Sequence, residues 1–228
     1  MGSLRRSSPP PMSNPILGLR RVVLLAAIAS LSVSCAKPSA GEVLLRQLDE
    51  KQFLRYAGES AESMRAAIRD KGWPALFGDS GRVFGADGLT LAKGGVGKFM
   101  ERLRPFLEVQ GVKIPELKDQ VARESYTLLV DGARLPIWTR EDLSRELGDR
   151  PGITSGLAAA RAFALTNILL ENAKSPERAY AIYSGAALSV IFLTDDLVAV
   201  MKADPQMVPK FMPYRITTDY PFFGQPQQ

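Results

Sequence analysis

Residues 91–100, LAKGGVGKFM, place Lys93, Gly94, Gly95, Gly97 and Lys98 at the mouth of an amphipathic stretch. Glycines let a backbone aim its N–H groups at one point, a helix start is electropositive, and lysines add charge. These five residues are therefore a candidate anion contact. Nucleotide hydrolysis asks for more, because a hydroxyl directly after the second lysine must hold Mg²⁺, and Phe99 stands there. A second candidate is Arg161, a guanidinium within the mostly apolar run 157–170. Such a group needs a carboxylate, a carbonyl or a ligand to receive its donors.

Residue types that are missing bound the rest. The 228 residues include no histidine and one cysteine, Cys35. Imidazole acid–base catalysis is thus closed, and neither a metal site nor a cofactor is expected. Carboxylate chemistry stays open, since two acids flanking a cleft can hydrolyse a glycosidic bond. Glu124, Asp131, Asp195 and Asp196 are the acids to consider, and each also has a structural reading. Asp131 suits a turn, Asp195 and Asp196 complement a helix dipole, and Glu124 precedes a strand. Asp79 and Asp87, eight apart, match no established calcium loop.

Two short motifs resemble those of known enzymes. KGGVGK is similar to the phosphate loop of partition-type ATPases, but Phe99 replaces the metal-binding hydroxyl residue. The ordinary form of that loop also fails, because Ala92 occupies its first glycine position. GDSG at 78–81 resembles the active-site serine motif of trypsin-like proteases. Without histidine Ser80 has no base, and it reads as a turn residue.

Residues 1–35 differ from the remainder. They hold Arg5, Arg6, Arg20 and Arg21, no acid, and an apolar run at 22–31 that leads into Ser32-Val33-Ser34-Cys35. That is the order of a secretory signal, and its ten-residue run is too short for a permanent span. The ending LSVSC resembles the lipobox of bacterial lipoproteins, with the aliphatic residue, Leu31, one place earlier than usual. The resemblance covers the signal alone and implies a diacylated Cys35 as the first mature residue. Removing the four arginines leaves 25 basic against 24 acidic residues, a net charge of +1. Nucleic acid is therefore not an expected partner.

After a tether at 36–40, the pattern predicts one domain over 41–228. Helical spacing runs through 41–70, followed by a glycine-rich stretch at 72–97 with a short strand at 82–84. A helix carrying Phe99, Met100, Leu103, Phe106 and Leu107 on one face should be split by Pro105. Asp131-Gly132 between apolar runs predicts a hairpin over 126–138, with Pro136 marking an edge strand. Thr139 and Asp142 form a capping box for a helix to 147, and Thr154 or Ser155 should cap a buried helix to 172. A second strand pair turns at Ser184-Gly185, and Thr194 caps a helix to 201. From 205 a proline-rich aromatic tail either packs on its own domain or docks on a partner.

Helices and hairpins without a βαβ rhythm give an α+β class, with helices packed on short antiparallel hairpins. With a lipid tether, near-neutral charge and no complete catalytic set, the expected role is a non-enzymatic binding or structural lipoprotein. It would face the periplasm from the cell envelope, or be soluble in the periplasm if Cys35 is not acylated, with membrane lipid and an envelope protein as partners. The alternative is a carboxylate-dependent hydrolase acting on cell-wall glycan.

Overall fold

The computed structural model describes residues 37–184 and 187–226. The signal segment, Cys35 and the Gly185 end of the second hairpin lie outside the described residues. Pro38–Gln228 forms one compact unit.

The class is α+β. In chain order the elements are α1 (Ala40–Glu50), α2 (Ala61–Lys71), β1 (Val83–Gly85), α3 (Gly88–Thr90), α4 (Val96–Val109), β2 (Leu117–Ala122), β3 (Ser125–Val130), β4 (Ala133–Trp138), α5 (Arg140–Leu147), α6 (Ile153–Asn172), β5 (Arg178–Ser184), β6 (Ala187–Leu193) and α7 (Asp195–Ala203). Two antiparallel sheets result, ordered β1-β6-β5 and β2-β3-β4.

The first sheet organises the domain, because alternate side chains of a strand point to opposite faces. Ala179, Ala181, Val190 and Phe192 enter a core with Phe99, Leu103, Phe106 and Phe163 from α4 and α6. Their neighbours Tyr180, Ile182, Ile191 and Leu193 enter a second core with Leu44, Leu48, Ile68 and Leu197 from α1, α2 and α7. β6, in the middle, is apolar on both faces from Val190 onward, which is why 190–193 reads as a continuous hydrophobic run. The second sheet adds Tyr126, Leu128, Ile137 and Trp138 to the first core.

Local signals set most boundaries. Asp131 and Gly132 take φ values of 48° and 82° at the β3–β4 turn, and β4, with Pro136, is an edge strand. Thr139–Asp142 forms its capping box, and Thr194 accepts from the Leu197 N–H. Strand β2 is an addition to the expected pattern. Pro105 does not split α4, which stays helical through 109 with the proline exposed and its lost bond on the solvent side. Among the described residues α6 is the one helix long and apolar enough to cross a membrane, yet 61% of that apolar window is buried in the domain. It is a core helix.

The start of α6 is also corrected. Its N-cap is Gly152, and neither Thr154 nor Ser155 holds that place. Glu146 of α5 instead accepts from the N–H groups of Gly152 and Thr154, both at 2.8 Å. Burial works to raise the Glu146 pKa, but these N–H donors and the Thr154 hydroxyl outweigh it and hold the carboxyl below its usual range. A depressed carboxyl contributes stability above its unfolded pKa and loses it as pH falls through the folded value. Glu146→Ala is expected to cost about 1 kcal/mol at neutral pH, the typical size of a lost N-cap. Urea unfolding of both proteins should show the gap closing as the solution is acidified through the carboxyl range.

Candidate functional site

The glycine-rich run forms a kinked entry to α4, with Gly94 at φ 97° and the helix proper starting at Val96. Strand β2 lies against it. A Cβ on Gly94 would sit 2.7 Å from Val121 Cγ2, and one on Gly97 would sit 2.6 Å from Asp119 Oδ2. Glycine is required at both positions by this close approach. Gly95 is buried against the Thr90 carbonyl, while Lys93 and Lys98 are exposed.

The donors at this helix start have internal partners. The Gly97 N–H donates to both carboxylate oxygens of Asp119, at 3.1 and 3.2 Å. The Val96 N–H donates to the Tyr126 hydroxyl at 3.2 Å, and that hydroxyl donates in turn to Asp119. Burial first, and then the hydrogen bond and charge of Asp119, push the Tyr126 phenol upward. Asp119 thus stands where an external anion would bind, and it satisfies the dipole from within the fold.

Arg161 does not join this cluster. Its Nη1 donates to the carbonyls of Pro136 (3.0 Å) and Ile137 (2.8 Å) beside the irregular register of β4. Of the three kinds of partner such a group needs, the structure supplies main-chain carbonyls. Ser80 is buried, and its hydroxyl accepts from the Arg82 N–H at 3.4 Å, a turn contact.

The acids separate likewise. Glu124 pairs with Arg140 on the surface at 3.5 Å, and Asp131 accepts from the Glu116 N–H at 2.8 Å. Asp195 and Asp196 share one cleft of about 520 Å³ with Glu50, Lys51, Arg55, Glu177 and Arg178. Asp196 pairs with Lys51 at 2.8 Å, and Asp195 accepts from the Tyr180 hydroxyl at 3.3 Å. Among the described residues no cluster of acids or thiols is arranged to hold a metal ion.

At the cleft floor lies an ion pair that sequence reasoning missed. Arg82 and Glu177 are 1% and 2% exposed and meet at 2.8 Å. Arg82 Nε also donates to the Phe53 carbonyl (2.6 Å), Nη1 to that of Phe192 (3.0 Å) and Nη2 to that of Gln52 (3.2 Å). Tyr56 and Phe53 stack on the guanidinium at 4.6 and 5.4 Å. The Tyr56 hydroxyl donates to Glu177 at 3.5 Å and accepts from Gln110, whose carbonyl accepts from Ser175. Among the described residues no buried side-chain polar atom lacks a partner.

The chain matches no protein-family model, no curated protein and no solved structure. Its function must therefore be argued from its own residues. Asp119→Ala should lower stability by about 1 kcal/mol through loss of the cap on α4. Inorganic phosphate should leave the wild-type melting temperature unchanged, because Asp119 and the Tyr126 hydroxyl already occupy the Gly97 and Val96 N–H groups. Thermal unfolding with and without phosphate checks both statements.

Proposed function

We propose that the protein is an exported lipoprotein of the bacterial cell envelope, anchored through acylated Cys35, whose domain binds or supports another envelope protein without catalysing a reaction. The observation that carries this reading is the position of the lone cysteine. It closes an apolar segment and stands five residues before Ala40, the first residue of α1. Ser39 caps α1 with a reciprocal Glu42 contact, so folded structure starts almost at once. Five residues span at most roughly 17 Å when fully extended. An acylated Cys35 would therefore hold the domain close to the membrane surface, facing the periplasm.

Two further features support a binding role. The positive groups singled out by sequence are either exposed, as Lys93 and Lys98 are, or committed to backbone carbonyls, as Arg161 is. The net charge of +1 without residues 1–35 gives no field for tracking nucleic acid. One observation favours the alternative of glycan hydrolysis, namely that Asp195 and Asp196 line the same cleft as Glu177.

Radiolabelled palmitate should enter the wild-type protein in the membrane fraction and be absent from Cys35→Ala. Unlabelled full-length protein in the cytosol would overturn the reading. Purified peptidoglycan should yield no muropeptides with the wild type. Release that disappears in Asp195→Ala or Asp196→Ala would establish the hydrolase instead.

A further inference from the structure

Between α1 and α7 runs a groove of about 520 Å³, walled by Ala40, Val43 and Leu44 on one side and Ala199, Val200 and Ala203 on the other. Ala199 and Ala203 lie one helical turn apart on the same face of α7, and their small side chains leave a trough that larger residues would fill. Both alanines are exposed, while Val43 and Val200 are half-buried. The Lys51–Asp196 ion pair belongs to the lining of this groove and also to that of the charged cleft. Beyond the pair the cleft carries both signs, with Arg55 and Arg178 beside Glu50 and Asp195. A mainly apolar trough, whose lining also holds Gln47, Asp204 and Gln206, thus opens into a patch of mixed charge.

That sequence of surfaces complements an amphiphile whose hydrocarbon chain is joined to a headgroup carrying both an anion and a cation. We propose that the groove and cleft bind one membrane phospholipid with a zwitterionic headgroup. The acyl chain lies between α1 and α7. Lys51 and Arg55 face the phosphate, and Glu50 and Asp195 face the amine, while Arg178 is held by the carbonyls of Ser175 (2.6 Å) and Glu177 (2.8 Å). The choice of a membrane lipid as occupant rests on the anchored reading above, since Ala40 in the groove wall follows Cys35 by five residues. The site is a non-covalent one, separate from the acyl groups on Cys35.

The test uses purified full-chain protein with vesicles of phosphatidylethanolamine and phosphatidylglycerol, in which some phosphatidylethanolamine carries a diazirine on its acyl chain. After illumination, lipid adducts are mapped by peptide mass, and palmitate on Cys35 is measured in the same preparation. Adducts should concentrate on the groove residues of α1 and α7. They should fall several-fold in the Ala199→Glu/Ala203→Lys double variant, which alters exposed positions and should keep the wild-type unfolding midpoint. Adducts spread equally over Val109, Leu147 and Ile168, exposed apolar residues outside the groove, would overturn the site. So would an unlabelled groove, or a dimer whose formation blocks labelling. An unlabelled groove in palmitate-bearing protein overturns the lipid site and leaves the anchor standing. Missing palmitate overturns the anchor, and groove adducts in that preparation still support the site.

Discussion

The buried pair of Arg82 and Glu177 is the constraint around which the domain is arranged. A guanidinium taken out of water costs several kcal/mol unless its charge and all its donors are met. Here a carboxylate and three main-chain carbonyls give each guanidinium nitrogen at least one acceptor. Those partners come from separate parts of the chain. Gln52 and Phe53 follow α1, Phe192 lies on β6, and Glu177 immediately precedes β5, while Arg82 itself precedes β1. Since β6 lies between β1 and β5, the pair joins the two outer strands across the central one. Its aromatic lids belong to different cores, Phe53 to one and Tyr56 to the other. A single polar cluster therefore fixes how the two hydrophobic halves sit on the sheet.

The same economy appears wherever charge is buried or half-buried. Glu146 caps α6, Asp119 caps α4, Arg161 covers the carbonyls at the end of β4, and the Asn167 amide pairs with both main-chain groups of Ala179 on the open edge of β5. Further along that edge Tyr214 of the tail makes a two-bond bridge with Ala181. The Phe223 ring seats against Gly156 of α6, where a Cβ would lie 2.2 Å from it. The tail thus packs on its own domain. Glu146, Asp119, Arg161 and Asn167, which would mark a site in isolation, are each explained by a neighbour they satisfy.

Features legible in the sequence are those set by nearby residues. Asp131-Gly132 fixes the β3–β4 hairpin, Thr139 and Thr194 cap their helices, and the apolar run of β6 announces an interior strand. Features that escaped depend on distant partners. Arg82 in a glycine-rich stretch carries no local mark of burial, because its carboxylate is 95 residues away. Strand β2, LKDQVA, has one face that is only half-buried, so it lacks the apolar alternation that marks a strand and is held mainly by its ladder with β3. The cap on α6 was misplaced because Thr154 and Ser155 offered local oxygens, whereas the working one comes from the preceding helix. KGGVGK reads as an anion cradle for the same reason that Asp119 binds there: the Gly97 N–H serves a carboxylate of the chain itself.

The central claim is that Arg82 and Glu177 hold the fold together and do not serve a ligand. Urea unfolding of wild type, Glu177→Ala and the doubly apolar Arg82→Met/Glu177→Leu tests it, with Trp73 and Trp138 reporting from the two cores. The account predicts a loss of about 3–5 kcal/mol in Glu177→Ala, where an unpaired buried charge remains, and recovery of most of that loss in the double variant. A Glu177→Ala protein as stable as wild type at both tryptophans would contradict it and make the pair a candidate binding group.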